Sequence, residues 1–228
     1  MTQDKTPQEA RPIMTVDAVI VTIADDTLKV LLHRRPREPF QGSWALPGGY
    51  IHVNEDSGTD AAMERILQEK AGVSDIYFEQ LATYSGPDRD PRDWSVSVAH
   101  IALVQEDLLS LGDDPDVVLT DVDALPPLAF DHENILAEAL ARIRGKGAYS
   151  SLPTAFLPKT FTLAQLHRVY EITLGETIER VSFRRKIMEV GMVEETGQKS
   201  TVMSRRPAKL FRMKVGSQTY VRNFATAG

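Results

Sequence analysis

The segment from Gly48 to Val73, GGYIHVNEDSGTDAAMERILQEKAGV, places acids, an arginine and paired glycines around a short apolar repeat. Carboxylates on one helix face can hold a divalent cation, which needs several oxygen donors. Such an ion can stabilise developing negative charge and lower the pKa of a bound water. The repeat supports the helix: Ala62, Met63, Ile66, Leu67 and Ala71 recur at helical spacing, Ser57 or Thr59 is suited to cap the start, and Gly72 to stop it. The donor set is thinner. Glu64 and Glu69 lie five residues apart, about 140° around a helix, so they do not share a face. Lys70 adds an ammonium, which repels a divalent ion instead of holding it.

The elements that must position this segment are legible on either side of it. VDAVIVTIADDTLKVLLHR, from Val16 to Arg34, reads as a β-hairpin turning at Asp25-Asp26, and PREPFQGSWALPGG as the loop that delivers the chain to Gly48 and Gly49. IYFEQLATYS and WSVSVAHIALV read as strands separated by the polar loop GPDRDPRD, and DVVLTDV as another short strand. Strands around one or two helices in 150 residues point to an α/β or α+β sandwich. Asp131 to Arg144 is an amphipathic helix, and GKGAYSSLP is a boundary or linker.

Beyond that linker the pattern changes. PKTFTLAQLHRVYEITLG gives a helix from Thr162 to Gly175, with Leu163, Leu166, Val169, Tyr170 and Leu174 on one face. ETIERVSFRRKIMEVG gives a second helix ending at Gly191, in which Phe183, Ile187, Met188 and Val190 are expected to face inward, and the remainder reads as strand, basic loop, strand. Helix, turn, helix and hairpin is the outline of a winged helix-turn-helix. Its basic residues are placed for DNA: Ser182, Arg184, Arg185 and Lys186 on the second helix, with either arginine suited to guanine and Lys186 to phosphate. Lys199, Ser204, Arg205, Arg206 and Lys209 lie in or beside the wing. The competing reading is a solvated basic face.

Charge separates the two regions. The net charge of -6 conceals a balance of +7 from Ser151 to Gly228 and -13 over residues 1–150, as expected of two units with different partners. The chain has no cysteine, which excludes disulfides and thiolate zinc sites. Its five histidines (His33, His52, His100, His132 and His167) show no metal-ligand spacing and are expected as core or surface residues. No apolar run reaches the roughly 18 residues of a membrane span, and MTQDKTPQEARP is polar, so a flexible tail over residues 1–12, no membrane partner and a cytoplasmic location are expected.

The Gly48–Val73 segment resembles the Nudix box: glycine, five residues, Glu, seven residues, then Arg-Glu-hydrophobic-any-Glu-Glu-any-Gly-hydrophobic. Gly49 and Glu55 fit the opening. Arg65, Glu69, Gly72 and Val73 fit the close, with nine residues between Glu55 and Arg65 where the family has seven. Ile66 and Lys70 stand where the family places metal-binding acids, so the resemblance implies a retained fold, no required cofactor, and a vestigial metal site at Glu55 and Glu69. The segment GPDRDPRDWSVSVAH resembles ADP-ribose-directed members, which makes Arg89 and Arg92 candidates for the diphosphate, Phe40, Trp44 and Trp94 for stacking on the base or lining the pocket, and Gly48 and Gly49 further ligand-binding candidates. The alternatives are ion pairs with Asp88, Asp90 or Asp93 for the arginines and core packing for the aromatics.

Together LPGGY (46–50), RDPRDWSVSVAH (89–100), LPPLAFDHENIL (125–136), FTLAQLHRVYE (161–171), FRRKIM (183–188) and RRPAKLFRM (205–213) resemble the Nudix-related transcriptional regulators of NAD metabolism and related sugar-catabolism regulators. That resemblance implies a Nudix-like α/β/α sandwich over 13–130, a linker helix and loop over 131–150, and a winged helix-turn-helix over 151–228. It further implies a homodimeric repressor on a palindromic double-stranded operator, with Thr162 and the basic residues above at the DNA and ADP-ribose or a related nucleotide as effector. The competing functions are an active hydrolase of ADP-ribose or another nucleoside diphosphate derivative with a nucleic-acid-binding appendage, and an RNA-associated or dimerising scaffold.

Overall fold

The structure, a computed structural model, describes residues 11–200 and 207–214. Its centre is a mixed seven-stranded sheet. β1 (Ile13–Ala24) and β2 (Thr27–Arg34) form the expected hairpin, with Asp25 and Asp26 both at positive φ in the turn. β3 (Trp44–Ala45) pairs antiparallel with the end of β2, and β4 (Gly48–Tyr50) pairs antiparallel with β1. β5 (Tyr77–Gly86) pairs with β6 (Ser95–Leu103), β6 runs parallel to β1, and β7 (Val117–Asp121) pairs with β2.

The alternation of side chains along β1 explains the layers. Val16, Ala18 and Ile20 join a core with Ala62, Met63, Ile66 and Leu67 of α1 (Thr59–Ala71), whereas Val19 and Val21 face Ile135, Leu136, Ala139 and Ile143 of α2 (His132–Gly147). The sheet is therefore sandwiched between two helices. α1 stops at Gly72, in the left-handed region, where an added Cβ would stand 2.7 Å from that of Ser110. At its start the expectation fails: Gly58 occupies the N-cap position and no side chain caps the helix, so neither Ser57 nor Thr59 does so. The cap residue has extended backbone and, being glycine, carries no side-chain oxygen to accept from the free amides of the first turn.

The second layer of organisation begins where α2 ends. α3 (Leu163–Leu174) opens with a capping box between Thr162 and Gln165 and closes on Gly175, and α4 (Arg180–Val190) closes on Gly191. β8 (Val193–Lys199) and β9 (Lys209–Met213) form the wing, and Phe161 bridges to Phe211. Leu166, Tyr170, Phe183, Ile187 and Phe211 fill its core. Met188 does not join them. It is 51% exposed, a correction to the inward-facing expectation: the buried residues of α4 are Phe183 and Ile187, four apart, and Met188 lies about 100° around the helix from Ile187.

α2 is held along its length to the sheet. Tyr84 donates to Glu138 at 2.7 Å, and Lys146 pairs with Glu79 of β5. Its far end meets the winged helix. A side chain at Gly147 would press on Leu174 and Thr173 at 3.3 Å, and the Tyr170 hydroxyl donates to the Ser150 carbonyl at 2.9 Å. One continuous apolar cluster runs from β1 through α2 to α3, α4 and β9.

Candidate functional site

A cleft of about 500 Å³ opens where β4, the Arg35–Glu38 loop, the Arg89–Arg92 loop and the start of α2 converge. Its walls carry five cationic side chains, Arg35, Arg37, Lys70, Arg89 and Arg92, against three acids, Asp17, Glu38 and Asp90. Gly48 and Gly49 form part of the rim, and the requirement for glycine differs between them. A Cβ at Gly48 would stand 2.4 Å from Asp17 Oδ1 and 2.9 Å from the Val16 carbonyl, so β4 can lie against β1 only without a side chain there; at Gly49 the nearest atoms belong to Ile66, at 3.9 Å.

The arginines are held in place by carboxylates rather than free in the cleft. Arg89 Nε and Nη2 donate to the two oxygens of Asp131 at 3.0 and 2.8 Å, and Nη2 reaches Asp17 at 3.5 Å. Burial depresses the Arg89 pKa, but the Asp131 and Asp17 charges outweigh it and the net shift is upward. Arg92 is forked onto Asp90, with its Nη2 at 2.6 Å, and also donates to the Tyr50 hydroxyl; the Asp90 hydrogen bond raises its pKa. Arg35 has the opposite shift, lowered by burial and then by the neighbouring Arg92 charge. A diphosphate would relieve that crowding, because it brings opposite charge to a site where like charges already meet.

His132 joins the same wall. Its Nδ1 accepts from the Leu46 amide at 2.9 Å, which leaves the ring proton to Nε2, 3.7 Å from Asp17; burial pushes its pKa down. Above it the aromatic floor consists of Phe130, edge-on to Phe40 at 4.9 Å and covered by the Arg35 guanidinium at 4.6 Å. Phe40 therefore backs Phe130 and does not itself line the cleft. Trp44 does not line it: it packs on the main core under Arg34, and its carbonyl accepts from Ala129 at 2.8 Å, which anchors the strand end before Phe130. Trp94, also outside the lining, is exposed, and its carbonyl accepts from Ile13 at 2.9 Å. The sequence assigns none of Arg35, Tyr50, Asp17, Phe130 and His132 to a ligand cleft, and it marks Lys70 only as a departure from the metal-binding pattern. The basic run RRPR and the FDH of LPPLAFDHENIL were the available signals, but nothing in their spacing places them on one wall.

The helix face that would carry metal has a different content. Ile66 is buried in the α1 core, and Lys70 lines the cleft. Arg65 forks onto Asp56 at 2.9 and 2.8 Å, donates to the Tyr50 carbonyl, and lies 3.7 Å from Glu69. Glu55 turns instead to His52, at 2.9 Å. Glu64 lines a separate depression with Asp75. Among the described residues no group of three or more His, Cys, Asp or Glu side chains is arranged to hold a metal ion. This donor set does not fit a divalent cation: one acid is tied to an arginine, and an ammonium stands beside it.

On the winged helix, Arg184 and Arg185 are exposed and, among the described residues, enter no salt bridge. Glu179 caps α4 by accepting from the amides of Val181 and Ser182 at 2.8 and 2.7 Å, so the first turn is already satisfied. Those hydrogen bonds lower the Glu179 pKa, and Arg185 adds a small part. Lys186 is half-buried, and burial lowers its pKa. Thr162 is engaged in the capping box of α3, Lys199 is exposed, and Lys209 pairs with Glu195 at 2.9 Å. Arg205, Arg206 and Ser204 lie outside the described residues. No helix among the described residues is long and apolar enough to cross a membrane.

Comparison with known proteins accounts for both halves. Residues 14–142 match the NUDIX domain and residues 153–213 the NrtR DNA-binding winged helix domain. The chain is 38% identical over 217 residues to the ADPR responsive transcriptional repressor NtrR of Acinetobacter baylyi, covering 93% of this chain and 86% of that one. It superposes on Shewanella oneidensis NrtR complexed with a 27mer DNA with a TM-score of 0.84 and 38% identity, over 92% of this chain and 98% of that one. The NUDIX domain of the same Shewanella protein, complexed with ADP ribose, matches at TM-score 0.55 and 36% identity, over 62% and 99%. With sandwich, cleft and winged helix in this order, the chain belongs to the NrtR family, in which a NUDIX domain is joined to a DNA-binding winged helix.

Proposed function

We propose that this chain is a homodimeric, cytoplasmic transcriptional repressor that holds a palindromic operator through α4 and the wing and is released by ADP-ribose or a related nucleotide bound in the cationic cleft. The observation that carries the reading is Lys70: a position that holds an acid in the family's metal site here supplies an ammonium to the cleft wall. A cation there suits a diphosphate bound without metal and unsuits the site for metal-assisted hydrolysis. An effector that survives binding gives a sustained signal. The Acinetobacter relative is an ADPR-responsive repressor, and the Shewanella relative has been crystallised with DNA and, as its NUDIX domain, with ADP ribose.

In this reading residues 13–130 form the ligand unit, 151–228 the DNA unit, and 131–150 the lever between them. Arg89 is the link, because it lies on the cleft wall and forks onto Asp131 at the start of α2. A diphosphate that draws Arg89 away changes what holds that end of α2, and the other end abuts α3. Ligand and DNA then compete through one equilibrium, and the coupling is reciprocal. The test is a gel shift at fixed moderate salt with the DNA upstream of the chain's own gene, with and without ADP-ribose, alongside a magnesium-dependent turnover assay. Release of a specific duplex by ADP-ribose with no hydrolysis at ordinary Nudix rates is expected. Ordinary turnover would overturn the non-enzyme reading, and lack of duplex preference would overturn the repressor.

A further inference from the structure

The solvent face of α4 is not uniformly basic. Val181, Arg184, Arg185 and Met188 fall at positions i, i+3, i+4 and i+7, which is one stripe on a helix. All four are exposed, Val181 by 75% and Met188 by 51%. The stripe is therefore two arginines bracketed by two apolar side chains. Phe183 and Ile187, on the opposite side, supply the buried residues of α4, so packing among the described residues leaves Val181 and Met188 largely exposed.

We propose that Val181 and Met188 read thymine 5-methyl groups in the major groove, on either side of guanine contacted by Arg184 or Arg185. This rests on the DNA-binding reading above and names what the operator must contain. The thymine methyl is the one apolar group that a base edge presents in the major groove, and an apolar side chain is its complement. Seven residues of helix rise about 10 Å, roughly three base steps, so the methyls are expected about three steps apart within each half-site. A second copy of this chain is a poorer occupant. A two-fold contact through this stripe would bring Arg184 and Arg185 against their own images.

The experiment uses the full chain and the duplex it enriches most strongly from a randomised pool, measured by fluorescence anisotropy at fixed salt. Each thymine is replaced in turn by deoxyuracil, which removes the methyl and leaves the pairing intact. At two positions per half-site the substitution should weaken binding about fourfold, the worth of one buried methylene-sized group. Val181→Ala should abolish the effect at one position and Met188→Ala at the other, with unfolding midpoints unchanged because both side chains are exposed. Binding that is indifferent to every deoxyuracil overturns the proposal while leaving the repressor reading intact, as does a penalty undiminished in both variants. Variants that bind DNA normally but dissociate a dimer assign the stripe to a second copy and also overturn it. If the chain enriches no duplex, the repressor reading itself fails.

Discussion

The cleft and the exposed face of α4 both concentrate arginine, yet they hold it differently. In the cleft Arg89 and Arg92 each fork onto a carboxylate, and Arg65 does the same on the adjoining helix. On α4, Arg184 and Arg185 point to solvent. The difference follows from dielectric. A charge taken out of water needs a partner or it shifts its pKa, whereas a solvated guanidinium keeps its charge at little cost and can wait for a polyanion. A paired arginine is also positioned before the ligand arrives, so a small effector meets a set geometry; a long polyelectrolyte needs mainly charge density and a few exposed readers.

Substitutions that remove one cation from each region should separate these regimes. The largest effect belongs to Arg89→Ala, which strands the buried Asp17 and the partly buried Asp131 carboxylates. A loss of about 3–5 kcal/mol is expected on breaking such a pair, read as a shift of the urea midpoint. A shift as small as that of a surface residue would mean that the pair is not needed to hold α2. Next is Arg185→Ala, or Arg184→Ala, which should cost roughly 1–3 kcal/mol of operator affinity and relax base preference at one position without changing the unfolding midpoint. An equal loss on all sequences would mark a phosphate contact instead.

Lys70→Glu sharpens the comparison within the cleft. Replacing an ammonium by a carboxylate should weaken ADP-ribose binding by about tenfold or more in the absence of magnesium, which calorimetry would register, while operator binding without effector stays unchanged. Tighter binding with magnesium in the variant would show that the original residue keeps the metal out. Smallest is a pH effect at Asp56, whose carboxyl Arg65 holds down to about 2. Its folded value lies below the unfolded value of about 3.9, so its contribution is complete above about pH 4 and is lost as pH falls toward 2. Urea midpoints measured across that range should fall less steeply in Arg65→Gln than in the parent.

Much of the architecture was readable in advance because it is local. The hairpin at Asp25-Asp26, the stops at Gly72, Gly175 and Gly191, and the faces of α1 and α2 all rest on residues within a few positions of one another. Met188 was misplaced because an apolar residue next to a buried one fits either side of a helix until the neighbouring elements are known. The start of α1 was misplaced because capping depends on a side-chain geometry that composition does not fix.

By itself the sequence determined the order of the two units, the Ile66 and Lys70 replacements and the charge division between the halves, since each is a statement about residue type and position. Only the tertiary structure decided that Asp17, Arg89 and His132 share one wall with Asp131 paired to Arg89, that the acid engaging Arg65 is Asp56, and that Lys70 lines the cleft. The pairing of β1 with β4 and β6, and the packing of α2 on that sheet, bring together positions more than 100 residues apart. No local periodicity encodes such a meeting, because burial and charge pairing act through space rather than along the chain.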